Sequence, residues 1–362
     1  MFKMNDAGDV ISLIFLFNGV FMKASIFREF GGPNVLRYED VATPSARPGH
    51  VVIRVLAAGI NRLELYLREG AITRDLALPH ILGSDAVGEV VELGAGVTDF
   101  SLGERVVPMP GYPLDKADYA FSPMSAATSY AIAGIMSWGA YAEYMEVPAH
   151  WLLRDDTGLS PEELATLPMV LVTAVRAVRV VGAVKAGDTV LVQAGGSGTG
   201  SMSIQIAKAL GARVVTTVSN DEKAEVARKL GADLVINSKR EDFVAVSREW
   251  TGGKGMDVTI DNLGGEILAR SIEATRPTGT VVTLGFVAGS ELNLDIRSFF
   301  FSQRRLLGTL MGDLDDLRFG LDLIKKGAVR PVLDQVIPLS EAARAHELLG
   351  EGRVSGNLVL KP

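Results

Sequence analysis

From about residue 23 to 150 the chain runs in short alternating or wholly apolar stretches, 51–55, 86–91 and 105–108 among them, punctuated by Gly and Pro. Alternation with a period of two puts one side of a strand inward and the other outward, so this half predicts a β-rich domain. From about Leu164 the period changes. Apolar strands at 189–193 and 213–218 alternate with helical patterns at 201–210 and 222–230, a βαβαβ unit. The alternation continues through 234–237, 258–261 and 280–285. Strands that alternate with helices imply a doubly wound parallel sheet with right-handed crossovers and both faces covered, an α/β fold. The tail from about 317 carries an amphipathic helix, a strand at 332–337, a helix from Ser340 and a closing strand at 356–360. It is expected to return to the first domain, which then comprises 22–150 completed by 315–362, with the α/β domain at 151–314.

A length of 362 residues, 48% hydrophobic and 22% charged, suits two domains that each bury a core. The net charge of -7 gives no basic field for a phosphate backbone and argues against nucleic acid as a partner. The absence of cysteine excludes disulfides, a thiolate nucleophile and a cysteine-held metal or iron–sulfur site. The one membrane-like run, 10–21, is too short to span a bilayer, is broken by Asn18 and Gly19, and follows Asp6 and Asp9 instead of a basic segment. No membrane anchor is expected. Because Met22-Lys23-Ala24 opens a self-sufficient strand pattern, 1–21 reads as an extension, with a short signal or interfacial helix as the alternative, and the cytoplasm is the expected compartment.

The strongest local signal is Gln193-Ala194-Gly195-Gly196-Ser197-Gly198-Thr199-Gly200, after a strand and immediately before a helix. Small residues at such a turn let backbone N–H groups and the helix N-terminus face a pyrophosphate, which is the dinucleotide turn of a Rossmann domain. Ser197 stands at the middle glycine position; a ligand-free turn is the bland alternative. At the end of the second strand, where an NAD-binding chain places an acid for the ribose, this chain has Val218 and then Ser219-Asn220-Asp221-Glu222-Lys223. Ser219 and Lys223 suit a 2′-phosphate, favouring NADPH; Ser219 can equally N-cap the next helix, with Glu222 closing a capping box. The histidines, at 50, 80, 150 and 346, lack ligand spacing, so no metal is expected. No Gly-x-Ser-x-Gly elbow supports hydrolysis.

Nearly the whole chain after Met22 resembles the medium-chain dehydrogenase/reductases, and within them the zinc-independent quinone oxidoreductase branch. The match runs through Phe30-Gly31-Gly32-Pro33-Asn34-Val35-Leu36, Ala57-Ala58-Gly59-Ile60-Asn61, Gly83-Ser84-Asp85-Ala86-Val87-Gly88, Gly139-Ala140-Tyr141-Ala142-Glu143-Tyr144, the glycine turn, and Gly356-Asn357-Leu358-Val359-Leu360. Zinc-dependent relatives carry a Cys ligand near Asn61 and a Gly-His-Glu motif where this chain has Gly83-Ser84-Asp85. The resemblance implies a GroES-like catalytic domain beside the Rossmann domain. It also implies Asn61 and Thr173 near the nicotinamide, Ser219 and Lys223 near the 2′-phosphate, Gly198, Thr199 and Gly200 at the pyrophosphate, and Gly264, Gly285 and Phe286 at the edge of the cofactor cleft. Tyr66 matches a tyrosine of the substrate cleft in bacterial quinone oxidoreductases, where a neutral phenol can donate to a substrate carbonyl; half-buried packing is the alternative. Asn357 replaces a lysine common in the closing motif, and 109–137 is longer than in compact quinone reductases, either a cleft lid or packing lobe or an idle insertion.

Together these readings predict hydride transfer from NADPH to a quinone or an α,β-unsaturated carbonyl, without zinc. Tyr66 and Asn61 are the catalytic candidates. An enoyl-thioester reductase on the same fold, and a nucleotide-binding protein of the lens-crystallin kind with little turnover, stand as alternatives. The apolar segment 304–311 reads as the last sheet strand, and such an edge predicts a homodimer.

Overall fold

A computed structural model describes residues 21–362; the extension and the apolar run at 10–21 fall, but for Phe21, outside the described residues. Among the described residues no helix is long and apolar enough to cross a membrane.

The second half forms a six-stranded sheet in which every pairing is parallel. From one edge to the other its strands are Leu234–Asn237, Arg213–Val218, Thr189–Val192, Met256–Asp261, Thr275–Thr283 and Arg305–Gly308. The order reverses between the third and fourth strands, so the chain leaves the sheet in opposite directions there and a crevice opens beyond the strand ends. Val190, Val192, Val214 and Ile260 are buried on one face and Leu191, Val215 and Ile236 on the other, as expected of strands covered on both faces.

The first half is antiparallel, centred on the long strand His50–Ile60, which pairs with Asp85–Leu93, with Tyr144–Pro148 and with the closing strand Asn357–Lys361. The tail therefore rejoins this sheet, and Ile337, Leu339, Ala345, Leu358 and Leu360 share a core with Ile26, Ile53 and Tyr141. Helix Leu314–Lys325 departs from the expected boundary. Leu317, Leu321 and Ile324 pack into the core that holds Leu171, and Gly320 sits so close that a Cβ there would lie 2.5 Å from Leu171 Cγ. Its apolar stripe faces helix Pro168–Val175, so the return to the catalytic domain comes after it.

Residues 109–137 fold into a lobe built on the antiparallel pair Gly111–Pro113 and Tyr130–Ile132. Tyr112 stacks on Trp151 with ring centroids 5.8 Å apart, and Tyr119 stacks on His150 at 4.8 Å. The lobe is packed, and it is tied to the start of helix Leu314–Lys325: Met124 N–H and Ser122 Oγ donate to Asp313 at 2.7 and 3.1 Å.

Candidate functional site

Strand Thr189–Val192 turns through Ala194-Gly195-Gly196-Ser197 into helix Gly198–Ala209. Ala194 takes a φ of 52°, uncommon for a residue with a Cβ. It is held there by Thr217, whose Oγ1 accepts the Ala194 N–H at 3.1 Å and whose carbonyl accepts the Gly195 N–H at 2.8 Å. A Cβ at Gly195 would fall 2.2 Å from Thr216 Oγ1, and one at Gly200 2.2 Å from the Ala194 carbonyl oxygen. Ser197 is the N-cap, accepting the Gly200 N–H at 3.1 Å. The first-turn N–H groups of Gly198 and Thr199 remain at a helix N-terminus, where negative charge is favoured.

Below this turn lies a chain of buried polar groups. Thr217 Oγ1 donates to Gln193 Oε1 at 2.6 Å, Gln193 Nε2 to Ser271 Oγ at 3.0 Å, and Ser271 Oγ to Asp261 Oδ2 at 2.6 Å. Asp261 Oδ1 accepts the Leu263 and Gly264 N–H groups at 2.9 and 2.8 Å, so the turn at Gly264 is locked to the glycine turn. Asn262 follows, its Nδ2 donating to Ser197 Oγ at 3.3 Å while its buried Oδ1 has no partner among the described residues. An unpaired buried acceptor is costly, and beside a dinucleotide turn it suits a ligand hydroxyl. A nicotinamide dinucleotide thus fits the residues present. Asn262 escaped the sequence reading, though it directly follows the strand end.

Asn220, not Ser219, caps helix Asp221–Lys229, accepting the Lys223 N–H at 2.9 Å. The capping role considered for Ser219 and Glu222 is corrected: the helix starts at Asp221, one residue too late for it. Ser219 instead lines a cavity of about 470 Å³ with Asn220, Lys223, Lys239 and Arg353. Lys223 Nζ donates across to the Gly352 carbonyl at 2.9 Å. Burial holds the Lys223 pKa below its ordinary value, and the charges of Arg62 and Lys239 add to this, partly offset by Asp334 and Glu222. Glu222 and Glu351 also line it, so in a chain of net charge -7 the three cations here outnumber the acids by one.

On the catalytic side Asn61 opens helix Arg62–Glu69. Its N–H donates to Glu64 Oε2 at 2.7 Å and its Nδ2 to Asp85 Oδ2 at 3.0 Å. Glu64 Oε1 accepts from Ser84 N–H and Oγ at 3.1 and 2.9 Å, and Asp85 Oδ1 accepts the Met169 N–H at 2.8 Å. Both carboxyl groups are buried. Burial pushes the Glu64 pKa up to about 7 and that of Asp85 to about 8; hydrogen bonds to Ser84 and Asn61 oppose this, and the charge of Glu64 adds to it at Asp85. These residues do not fit zinc. Every carboxylate oxygen is already occupied by a protein donor, and among the described residues no group of three His, Cys, Asp or Glu side chains could hold a metal.

Asp85 also joins the domains, because Met169 lies in the first turn of helix Pro168–Val175, which carries Thr173. Gly83-Ser84-Asp85 drew notice for the ligand it lacks, while its buried carboxylate went unread. Asn357 is 7% exposed, its Nδ2 donates to the Thr166 carbonyl at 2.6 Å, and a Cβ at Gly198 would lie 2.1 Å from its Oδ1. The geometry makes it a strut between the closing strand and the glycine turn. Gly285 packs on the Asn262 backbone, and Phe286 reaches Tyr66 across the crevice, with ring centroids 5.0 Å apart.

Known proteins agree with this architecture. Residues 47–156 match the alcohol dehydrogenase GroES-like domain, and 198–326 match the zinc-binding dehydrogenase domain. A 2-haloacrylate reductase of Burkholderia sp. is 34% identical, over 94% of this chain and 98% of its own. A quinone oxidoreductase of Pseudomonas aeruginosa is 32% identical, over 93% and 98%. A solved structure of an NAD-dependent alcohol dehydrogenase superposes with a TM-score of 0.91 at 37% identity, covering 94% of this chain and all of that one. The two-domain fold, the dinucleotide turn and these likenesses together make the chain an oxidoreductase that belongs to the medium-chain dehydrogenase/reductase superfamily.

Proposed function

We propose that the chain is an NADPH-dependent reductase that passes a hydride to a quinone or an α,β-unsaturated carbonyl without zinc, as a cytoplasmic homodimer. The observation that carries the cofactor choice is the cavity at Ser219. The strand before it ends on Val218, where a ribose-binding acid would sit, and Lys223, Lys239 and Arg62 crowd their charges nearby. A 2′-phosphate relieves that crowding, whereas a bare ribose does not. Asp221 lies on the rim but is paired to Arg240 at 3.0 Å. The likeness to an NAD-dependent alcohol dehydrogenase points the other way, so cofactor preference is the first thing to measure.

The acceptor class rests on the kinship with a quinone oxidoreductase and a 2-haloacrylate reductase, both named for electron-poor acceptors. The cofactor, when bound, supplies the hydride. Gly198 and Thr199 would then turn their N–H groups to its pyrophosphate, with Gly200 beside them, and Asn61 and Thr173 would lie near its nicotinamide. One Asn61 N–H is held by Asp85, which leaves the other to donate to an acceptor oxygen. Tyr66 offers a second neutral donor, and the two stabilise the charge that collects on that oxygen. Alcohol oxidation asks instead for a base or a metal at the hydroxyl, and Asn61 is neither.

The test is NADPH oxidation across quinones, enones, enoyl thioesters and aldehydes, beside alcohol oxidation with NADP⁺. Turnover of quinones or enones that a chelator leaves intact is expected. Alcohol oxidation without reductase activity, or activity lost to a chelator and restored by zinc, would overturn the reading. The double substitution Ser219→Ala, Lys223→Ala should weaken NADPH binding far more than NADH binding, and equal affinity of the parent for both refutes the cofactor choice.

A further inference from the structure

We infer that Asp85 is a positioning residue for hydride transfer: its two carboxyl oxygens clasp Asn61 on one side and the helix that carries Thr173 on the other, and so set the gap in which the nicotinamide lies. The inference rests on the reading above that puts Asn61 and Thr173 beside the nicotinamide. Asp85 opens strand Asp85–Leu93 of the catalytic sheet and is 1% exposed, so it acts through the groups it holds.

The bond from the Met169 N–H to Asp85 Oδ1, 2.8 Å, answers a need of the helix it enters. Helix Pro168–Val175 begins with a proline, which has no N–H, and its N-cap residue, Leu167, has no side-chain acceptor. The Met169 N–H is therefore the first orphan donor of that helix. Asp85 reaches over from the other domain and supplies the acceptor that a Ser, Asn or Asp would supply from the N-cap position. Thr173 follows Met169 by four residues and lies on the same helix face, so holding the N-terminus holds Thr173. On another side of the helix, Leu171 is pressed against Gly320, where a Cβ would lie 2.5 Å from Leu171 Cγ, and the helix has little room to slide.

The second bond, from Asn61 Nδ2 to Asp85 Oδ2 at 3.0 Å, fixes the Asn61 carboxamide, while Glu64 Oε2 holds the Asn61 backbone N–H at 2.7 Å. Room for the clasp comes from Gly59, which faces Asp85 across the sheet. A Cβ there would lie 2.9 Å from Asp85 Cβ and 2.2 Å from the Ala165 carbonyl oxygen, so glycine lets the strand, the carboxyl group and the approach to the Thr173 helix close together. One side chain thus spans two domains and fixes one nicotinamide neighbour from each. Hydride transfer depends steeply on such placement, since a misplacement of about 1 Å can cost roughly 100-fold in rate.

The test exchanges the carboxyl group for an amide. Asp85→Asn keeps the size and leaves one acceptor in place of two, so Asn61 and the Met169 N–H cannot both be held as they are. Three readings are taken: the fluorescence of bound NADPH at saturation, which reports how firmly the reduced nicotinamide is enclosed; the Kd of 2′,5′-ADP, which reports the adenosine end alone; and the single-turnover rate constant for oxidation of bound NADPH by 1,4-naphthoquinone. None of them depends on the folded fraction. Asp85→Asn is expected to slow the hydride step about 10-fold or more and to dim the bound NADPH, with the 2′,5′-ADP affinity unchanged within about 2-fold. The exchange Asn61→Asp, Asp85→Asn lets the new amide accept from Met169 and donate to the new carboxylate, so both bonds are restored and the fluorescence should return. Parent-like rate and fluorescence in Asp85→Asn, an equal loss of 2′,5′-ADP affinity, or an exchange variant no brighter than the single one overturns the clasp. If Asp85→Asn does not fold, the exchange variant decides alone: parent-like fluorescence supports the clasp and dim fluorescence overturns it. If the parent holds NADH instead, the same readings are taken with NADH and 5′-AMP. A parent that encloses the cofactor yet reduces no acceptor overturns the reductase reading, and the fluorescence still decides the clasp.

Discussion

Glu64 and Asp85 are fully buried acids without a cationic partner, and their surroundings make them pH-sensitive in a defined direction. Burial raises both pKa values, to about 7 and about 8, above those of the unfolded chain. A raised acid binds its proton more tightly in the folded state, so the stability it contributes is complete below the unfolded carboxyl range and is lost as pH climbs through the folded values. His346 works oppositely. Arg68 Nη1 can only donate, so His346 Nδ1 accepts and Nε2 carries the hydrogen toward Tyr141 Oη, 3.1 Å away. Burial first, and then the Arg68 charge, depress the His346 pKa to about 3. Its contribution is full above the unfolded histidine range and is lost only as pH falls. Between about pH 6.5 and 8.5 the two acids therefore act without the histidine, and the melting temperature of the parent should drop as pH rises. Asp85→Asn, which cannot ionise, should be less stable at pH 6.5, because its amide can accept from only one of Asn61 and Met169, yet show a flatter slope. A parent with no decline over that window would place both carboxyl groups in the ionised state throughout.

Strands and helices were more legible than the contacts between them. The run 213–218 and the parallel alternation stood out because a sheet covered on both faces leaves unbroken apolar stretches. The strand His50–Ile60 extends past the apolar stretch 51–55, through Ala57-Ala58-Gly59. Gly59 is small there for a tertiary reason: a Cβ would lie 2.2 Å from the Ala165 carbonyl oxygen. Helix Gly198–Ala209 begins before its first helix-favouring residue, since its start is set by the Ser197 cap and not by glycine propensity. Residue types at Asn61, Tyr66 and Lys223 announced chemistry, but no local pattern could pair Asp85 with Met169 or Tyr66 with Phe286. The lobe at 109–137 was equally silent about its anchor, Asp313, which caps a helix, accepts from Ser122 and Met124, and pairs with Arg176 at 2.9 Å. Asp313→Ala should cost about 2–3 kcal/mol, from a lost cap and unpaired donors. Hydrogen exchange should then quicken in strands Gly111–Pro113 and Tyr130–Ile132 while strand Thr189–Val192 keeps its protection; unchanged exchange in the lobe would remove Asp313 as its anchor.

At the scale of the molecule the open question is the far edge of the parallel sheet. Strand Arg305–Gly308 pairs with Thr275–Thr283 on one side and ends the sheet on the other. It is shorter than the apolar segment 304–311 suggested, its last rung being the Thr309 N–H on the Thr283 carbonyl at 3.1 Å. An edge strand offers unpaired N–H and C=O groups, and soluble proteins guard such edges with charge, proline or a cover. Here apolar side chains crowd the same region of the chain: Leu307 is 37% exposed, Leu310 53%, Ile296 64%, Phe300 59% and Phe301 69%. Two-fold pairing of the strand with its own copy would satisfy the backbone groups of both edges at once and bury those side chains against their equivalents, doubling the sheet. A homodimer is therefore expected in solution at micromolar concentration. Replacing Leu307 and Leu310 together by Lys places like charges across the two-fold axis, so the double variant should run as a monomer by light scattering and keep the far-ultraviolet circular dichroism of the parent. A parent that is monomeric under the same conditions would refute the pairing, and a Lys variant that stays dimeric would move the interface to another face.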